Sequence, residues 1–138
     1  MIYVLSKSFT FEASHLLPLH DGKCRNLHGH TWRVELEFVG VHLAKPPSPK
    51  AGMLVDFCAV GLIAAWLHDH LDHKHLNELL EDPTSERLAA WIAEQVPRVI
   101  DSLHLDEAEA GPLGRMFNAV TVQETATSKV RLGLDLSR

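Results

Sequence analysis

The sequence predicts an α+β fold, an antiparallel sheet with two helices packed on one of its faces. Three observations carry this. Apolar and polar residues alternate in four stretches, two near the start and two near the end. Between them the apolar period lengthens to that of a helix, twice. The order strand, strand, helix, helix, strand, strand closes most simply as a four-stranded antiparallel sheet with both helices on its apolar side.

The first stretch, YVLSKSFTFEASH, puts Tyr3, Leu5, Phe9, Phe11 and Ala13 on one face and Ser6, Ser8, Thr10, Glu12 and Ser14 on the other. His15 falls on the apolar parity. The second, HGHTWRVELEFVG, sets Trp32, Val34, Leu36 and Phe38 against Thr31, Arg33, Glu35 and Glu37. His28 and His30 share the parity of Trp32. VHLAKPPSPKAG is Pro-rich and reads as a loop. Asp56 is an N-cap for a helix whose stripe is Phe57, Val60, Ile63, Ala64, Leu67 and Leu71. Thr84 caps a second helix, with Glu86 in its first turn and Leu88, Trp91, Ile92, Gln95 and Val96 on its buried side. Pro97 is expected to kink or end it. DEAEAGPLGRM reads as a loop. FNAVTVQE then alternates with Val120, Val122 and Glu124 on one face, TATS suits a hairpin, and SKVRLGLDL carries Val130, Leu132, Leu134 and Leu136. The other face of the sheet is polar, with Thr31, Arg33, Glu35, Glu37, Lys129, Arg131 and Asp135. Two open edges invite pairing between subunits.

A chain of 138 residues favours one domain spanning all of it and buries roughly two-thirds of its unfolded surface. The net charge of −5 argues against nucleic acid as a partner but allows a small anionic substrate. No apolar run reaches the roughly 18 residues of a membrane span, and the first residues lack the pattern of a secretory signal. Cys24 and Cys58 are too few for a disulfide framework, so a cytoplasmic protein with reduced thiols is expected. Ten histidines are many, and imidazole is both a common metal ligand and a group that titrates near neutrality.

Parity places His15, His28 and His30 on the buried side of neighbouring strand ends. H-x-H on a strand aims both rings one way, and a third histidine beside them makes a tripod with an open fourth position, the arrangement of a catalytic zinc (Zn2+) site. Read without a metal, the three are simply polar strand ends, which leaves their shared apolar parity unexplained. HGHTWRVE also fits H-x-H-x4-E, a cupin-like pattern, but Glu35 lies on the opposite face from His30. Cys24, four residues before His28, lies beside Lys23 and Arg25, and cations or a metal favour a thiolate that could move a proton. A plain loop cysteine fits as well. Asp72 and His73 adjoin as a carboxylate–imidazole pair, while His68, His70 and His75 read as a solvated helix end. Glu124 is a carboxylate on a buried face and needs a donor partner, which a ligand with a guanidine-like edge would supply.

FTFEASH, CRNLHGH, GMLVDF, LDHKHLN, PTSERLA and VQET, running from Phe9 to Thr125, together resemble the 6-pyruvoyl-tetrahydropterin synthase family. The closer likeness is to its bacterial branch, the 6-carboxy-tetrahydropterin synthases of the queuosine (preQ0) pathway. Cysteine, three residues and then H-G-H is the bacterial spacing. The resemblance implies a tunnelling fold, in which ββααββ units join by strand edges into a barrel, usually a homo-hexamer of two trimers. It implies zinc on His15, His28 and His30, Cys24 as general base, and Asp72 and His73 completing a relay, often across a subunit boundary. Glu124 would grip the pterin ring and join the relay, with Thr84 and Ser85 helping to hold the pterin. The implied substrate is dihydroneopterin triphosphate, with Lys23 and Arg25 as possible contacts to its phosphates. Ser14 stands where alanine is common and Trp32 where Tyr or Phe is common, and the loops at 41–52 and 104–116 are long. The implied product is 6-carboxy-tetrahydropterin. A 6-pyruvoyl product, another pterin substrate and a non-catalytic pterin- or metal-binding role are the alternatives.

Overall fold

A computed structural model describes residues 1–134. Asp135 and Leu136, assigned above to the polar and apolar faces of the last strand, lie outside them. The alternating stretches become β1 (Tyr3–His15), β2 (His28–Gly40), β4 (Phe117–Thr125) and β5 (Ser128–Gly133), and the helical stripes become α1 (Phe57–Leu71) and α2 (Ser85–Ser102). A two-residue strand, β3 (Lys74–His75), and a helix, α3 (Glu107–Met116), complete the elements the site depends on. The sheet has five strands in the order β3-β1-β2-β4-β5. β3 runs parallel to β1, pairing with Ala13 and Ser14, and the other neighbours are antiparallel.

The β1–β2 ladder runs without a break from Tyr3 opposite Gly40 to His15 opposite His28. Period two then puts Phe11, Trp32, Val34, Leu36 and Phe38 on one side, where all are buried. Val60, Ile63, Leu67 and Leu71 of α1 and Leu88, Ile92, Val96 and Val99 of α2 close over them. Asp56 caps α1 by accepting from Cys58 N at 2.8 Å, and the Thr84 hydroxyl caps α2 by accepting from Arg87 N at 3.2 Å.

Four expectations need correction. The sheet has a fifth strand, β3, too short to show a period. DEAEAGPLGRM is helical rather than loop. Its Asp106 carboxylate caps it by accepting from Glu109 N at 3.0 Å, and Leu113 anchors it in the core. α2 runs through Pro97, which faces solvent, because Val96, Val99 and Ile100 hold the helix down on both sides of it. Phe57 is exposed, so the α1 stripe begins at Ala59 and Val60.

On the polar face, Glu37 accepts from Arg131 Nη2 at 2.6 Å and from Asn118 Nδ2 at 2.7 Å. The Arg131 guanidinium, chiefly, holds the Glu37 carboxyl below its ordinary value of 4.5. A depressed native pKa means that Glu37 contributes stability above the ordinary value. That contribution is lost as pH falls through the depressed one. Glu37→Gln should therefore lower the melting temperature near neutral pH. The gap to the parent should close as the pH is brought down through that depressed value, as read by thermal melts across an acidic pH series.

Candidate metal centre and active site

β1 ends on His15 and β2 begins on His28, and the ladder sets them opposite each other. His30, opposite Ala13, lies two residues on and so faces the same side. The rings converge, with centroids 4.5 Å apart for His15 and His28, 5.2 Å for His15 and His30, and 4.9 Å for His28 and His30. Trp32 forms the floor. It meets His15 and His30 edge to face, stacks on Phe11, and its indole N–H donates to Ala13 O at 3.2 Å.

Backbone carbonyls set which nitrogen is free in two of the rings. His15 Nδ1 lies 2.9 Å from Pro83 O, and His28 Nδ1 lies 2.7 Å from Asn26 O. A carbonyl only accepts, so Nδ1 carries the hydrogen in both rings, and in the neutral ring the second nitrogen keeps its lone pair. His15 is wholly buried, and its Nε2 and that of His30 have no hydrogen-bond partner. Burial, before any other cause, lowers the pKa of His15 and of His30 below 6.5, with His28 adding to the shift and the Glu124 carboxylate opposing it. Neutral imidazoles with free, converging nitrogens are metal ligands in waiting. One donor atom each from His15, His28, His30 and Glu124 lies within 4.8 Å of the others, so this cluster could hold a metal ion. Three imidazoles and a carboxylate are a donor set that zinc accepts.

Glu124 enters the cluster from β4. Its Oε1 is 3.2 Å from His15 Nε2 and 3.3 Å from His30 Nε2. Parity marked it as a carboxylate on the buried side, but not as a neighbour of the ring nitrogens. Cys24, on a tight 3-10 turn (Lys23–Arg25), is half-buried. It lines a cavity of about 420 Å³ with Lys23, His28, His30, Glu124 and Thr125. Arg25 is exposed and is not part of that lining.

Asp72 and His73 sit elsewhere. The His73 Nδ1–H donates to Asp72 Oδ2 at 2.8 Å, and Asp72 Oδ1 accepts from Glu12 N at 2.9 Å. The Glu12 N–H is the largest cause holding the Asp72 carboxyl below 3.8, and His73 is the next. His73 has φ 57, an unfavourable value for a residue with a Cβ, and its N–H is tied to Glu12 O at 2.6 Å. Its ring is four-fifths exposed, over a second cavity of about 620 Å³ lined by Glu12, Ser14, His30 and Lys74 among others. Within one chain, then, Cys24 and His73 line different cavities, and only His30 lines both. Thr84 uses its hydroxyl as a helix cap, and neither it nor Ser85 lines either cavity. His75 is not a solvated helix end, since it lies in β3 with Nδ1 3.0 Å from Ser14 Oγ. Glu35 lies on the polar face with Arg33 and Glu37, away from the histidines.

Three supporting groups escaped the sequence reading. Glu12 brackets Asp72 and His73 with its backbone and accepts from Thr31 Oγ1 with its carboxylate. Asn77 clamps the Leu16 backbone through both ends of its amide, at 2.9 and 2.8 Å. Pro83 holds His15 through its carbonyl alone. Each acts across about sixty residues or through a main-chain atom, so no local pattern announces it.

The sequence model of the family described as 6-pyruvoyl tetrahydropterin synthase matches residues 4–133. The chain belongs to the 6-pyruvoyl tetrahydropterin synthase family. It is 38% identical over 133 residues to the 6-carboxy-5,6,7,8-tetrahydropterin synthase of Synechocystis, covering 94% of this chain and 92% of that protein. It is 30% identical over 87 residues to the dihydroneopterin monophosphate aldolase of Pyrococcus furiosus, covering 63% and 68%. The solved structure of the Caenorhabditis elegans 6-pyruvoyl tetrahydropterin synthase superposes with a TM-score of 0.71 at 22% identity, covering 98% of this chain and 97% of that one. The shared fold extends over nearly the whole chain. Among the described residues no helix is long and apolar enough to cross a membrane.

Protons compete with a metal for imidazole nitrogens. Because burial weakens the hold of His15 and His30 on a proton, both should keep a bound metal below the pH at which an unperturbed histidine would release it. His28→Ala should reduce metal content sharply at every pH. Elemental analysis of protein dialysed across an acidic pH series checks both, and full metal retention by the variant removes His28 from the ligand set.

Proposed function

We propose that the protein is a zinc-dependent lyase that converts 7,8-dihydroneopterin triphosphate to 6-carboxy-5,6,7,8-tetrahydropterin, acetaldehyde and triphosphate, as a single-domain cytoplasmic enzyme of queuosine biosynthesis. The observation that carries this is the convergence of His15, His28 and His30 with Glu124, beside a cavity that His28, His30 and Glu124 line together with Cys24. The likeness to the Synechocystis enzyme supports the choice of product.

His15, His28 and His30 would hold the zinc, and Trp32, Pro83 and Asn26 keep their rings in place. Zinc bound there supplies Lewis-acid stabilisation of charge on the substrate side-chain oxygens. Glu124 presents a carboxylate to the amino and ring N–H groups of the pterin. Cys24 Sγ takes a proton from a side-chain carbon, and His73, oriented by Asp72, supplies or removes the second proton. Thr84 and Ser85 are assigned to the outer edge of the pterin site, and Lys23 to the phosphates. One water enters, the triphosphate ester is lost and the carbon–carbon bond breaks to release acetaldehyde. The atoms and electrons balance with no external oxidant.

Cys24 and His73 line different cavities of one chain, so we assign the Asp72–His73 pair to the site of a neighbouring subunit in a homo-hexamer built as a dimer of trimers. Among the described residues, β3 covers only Ala13 and Ser14 of the β1 edge, and β5 has no outer neighbour. Both edges therefore offer unpaired backbone groups to another copy.

A second reading is favoured by the likeness to the Pyrococcus aldolase, whose name specifies a dihydroneopterin monophosphate. Mass spectrometry of products from zinc-loaded protein and dihydroneopterin triphosphate separates the readings. A 6-carboxy product with acetaldehyde supports the proposal. A 6-pyruvoyl product, or turnover of the monophosphate only, replaces it, and no turnover of either leaves a pterin- or metal-binding protein. Cys24→Ala should keep its zinc and lose turnover by about 100-fold or more. Near-parental turnover in that variant refutes the proton-transfer role.

A further inference from the structure

Glu124 stands where two tasks meet. The proposed pterin clamp is the same carboxylate that lies 3.2 and 3.3 Å from the unpartnered Nε2 atoms of His15 and His30. His15 Nδ1 carries its hydrogen toward Pro83 O, so the neutral ring has no hydrogen on Nε2 to give. Carboxylate oxygen and imidazole nitrogen therefore meet lone pair to lone pair, a contact that a shared cation turns attractive. The spacing fits such sharing. Donors about 2.0–2.1 Å from a tetrahedral zinc are about 3.3 Å from each other. The carboxylate oxygen already lies at that distance from two of the three imidazoles.

The backbone gives Glu124 freedom to do more. It lies beyond Gln123, the last β4 residue paired to β2, and inside the register shift between Gln123 and Thr125 on the β5 side. A bulge of this kind releases a residue from the ladder and re-aims its side chain. The side chain is about a quarter exposed and lines the cavity with Cys24. A carboxylate so mounted reaches the histidine nitrogens on one side and the cavity on the other.

We propose that Glu124 is an exchangeable fourth ligand: it binds the metal when no pterin is present and leaves it to pair with the pterin N–H edge, opening a coordination position as substrate arrives. The exchange half rests on the pterin reading above, whereas the ligation half does not. In this scheme the open position forms only when a pterin is seated, which makes Glu124 a positioning residue for the metal as well as a substrate contact.

The test uses full-length protein loaded with cobalt(II), whose visible absorption reports ligand number and type. Glu124→Gln and Glu124→Asp are compared with the parent, with circular dichroism to show that each is folded. Metal affinity is read by competition with a chromophoric chelator. Glu124→Gln should bind cobalt about tenfold more weakly, or worse, with altered visible bands. Adding neopterin, which has no phosphate, should move the parent bands toward those of Glu124→Gln and leave the variant bands unmoved. Unchanged affinity and bands in both variants overturn ligation by Glu124. Parent bands that stay fixed while neopterin fluorescence shows it bound overturn the exchange and leave the pterin reading standing. Failure of the parent to bind neopterin overturns the pterin reading and the exchange with it.

Discussion

The site depends first on a register. β1 and β2 pair over their full length, and His15 meets His28 at the last rung. Slipping one strand by a single residue would turn every side chain to the other face. Burial of Phe11, Trp32, Val34, Leu36 and Phe38 excludes that slip, since it would put Arg33, Glu35 and Glu37 into the core. The apolar side chains that stabilise the sheet are thus the ones that hold three imidazoles on one side at a strand end. Packing and chemistry are two readings of one alternation.

A register brings the rings together, but their orientation comes from elsewhere. Asn26 lies in the loop before β2, and Pro83 in the connection before α2. Their carbonyls take up the Nδ1 hydrogens and leave the inner nitrogens bare. Asn77 fastens the chain just after His15 to that same connection. The peptide of Glu12, three residues before His15, brackets Asp72 and His73. β1 is therefore the shared beam from which the histidine cluster and the carboxylate–imidazole pair both hang. Their separation within one chain is set by the strand rather than by a flexible loop.

Much of this was legible in the residues. The four long strands, α1, α2 and both helix caps follow from period and capping chemistry, and so does the common side of the three histidines. The losses have physical reasons. β3 exists through its pairing with Ala13 and Ser14, not through any preference of Lys74 and His75. α3 hides behind Gly111, Pro112 and Gly114, which are poor helix formers, and holds through its Asp106 cap and the burial of Leu113. Pro97 breaks helices in isolation, yet here it faces water on a helix pinned from beneath. Glu124 showed its parity but not its bulge, so its closeness to the ring nitrogens could not be read. The assignment of Thr84 and Ser85 to a pterin site rests on resemblance alone, and the Thr84 hydroxyl caps α2 as its sequence position predicts.

The burial of His15 also gives the cluster a direction. His15 is sealed on the side of Trp32, while His30 is one-fifth exposed and Glu124 about a quarter. The cavity that Cys24 lines reaches the cluster at His28, His30 and Glu124. An ion held by the cluster and a small molecule in that cavity would then share one doorway. The molecule would cork the ion behind it, and the inner occupant's residence time would follow how often the outer one departs.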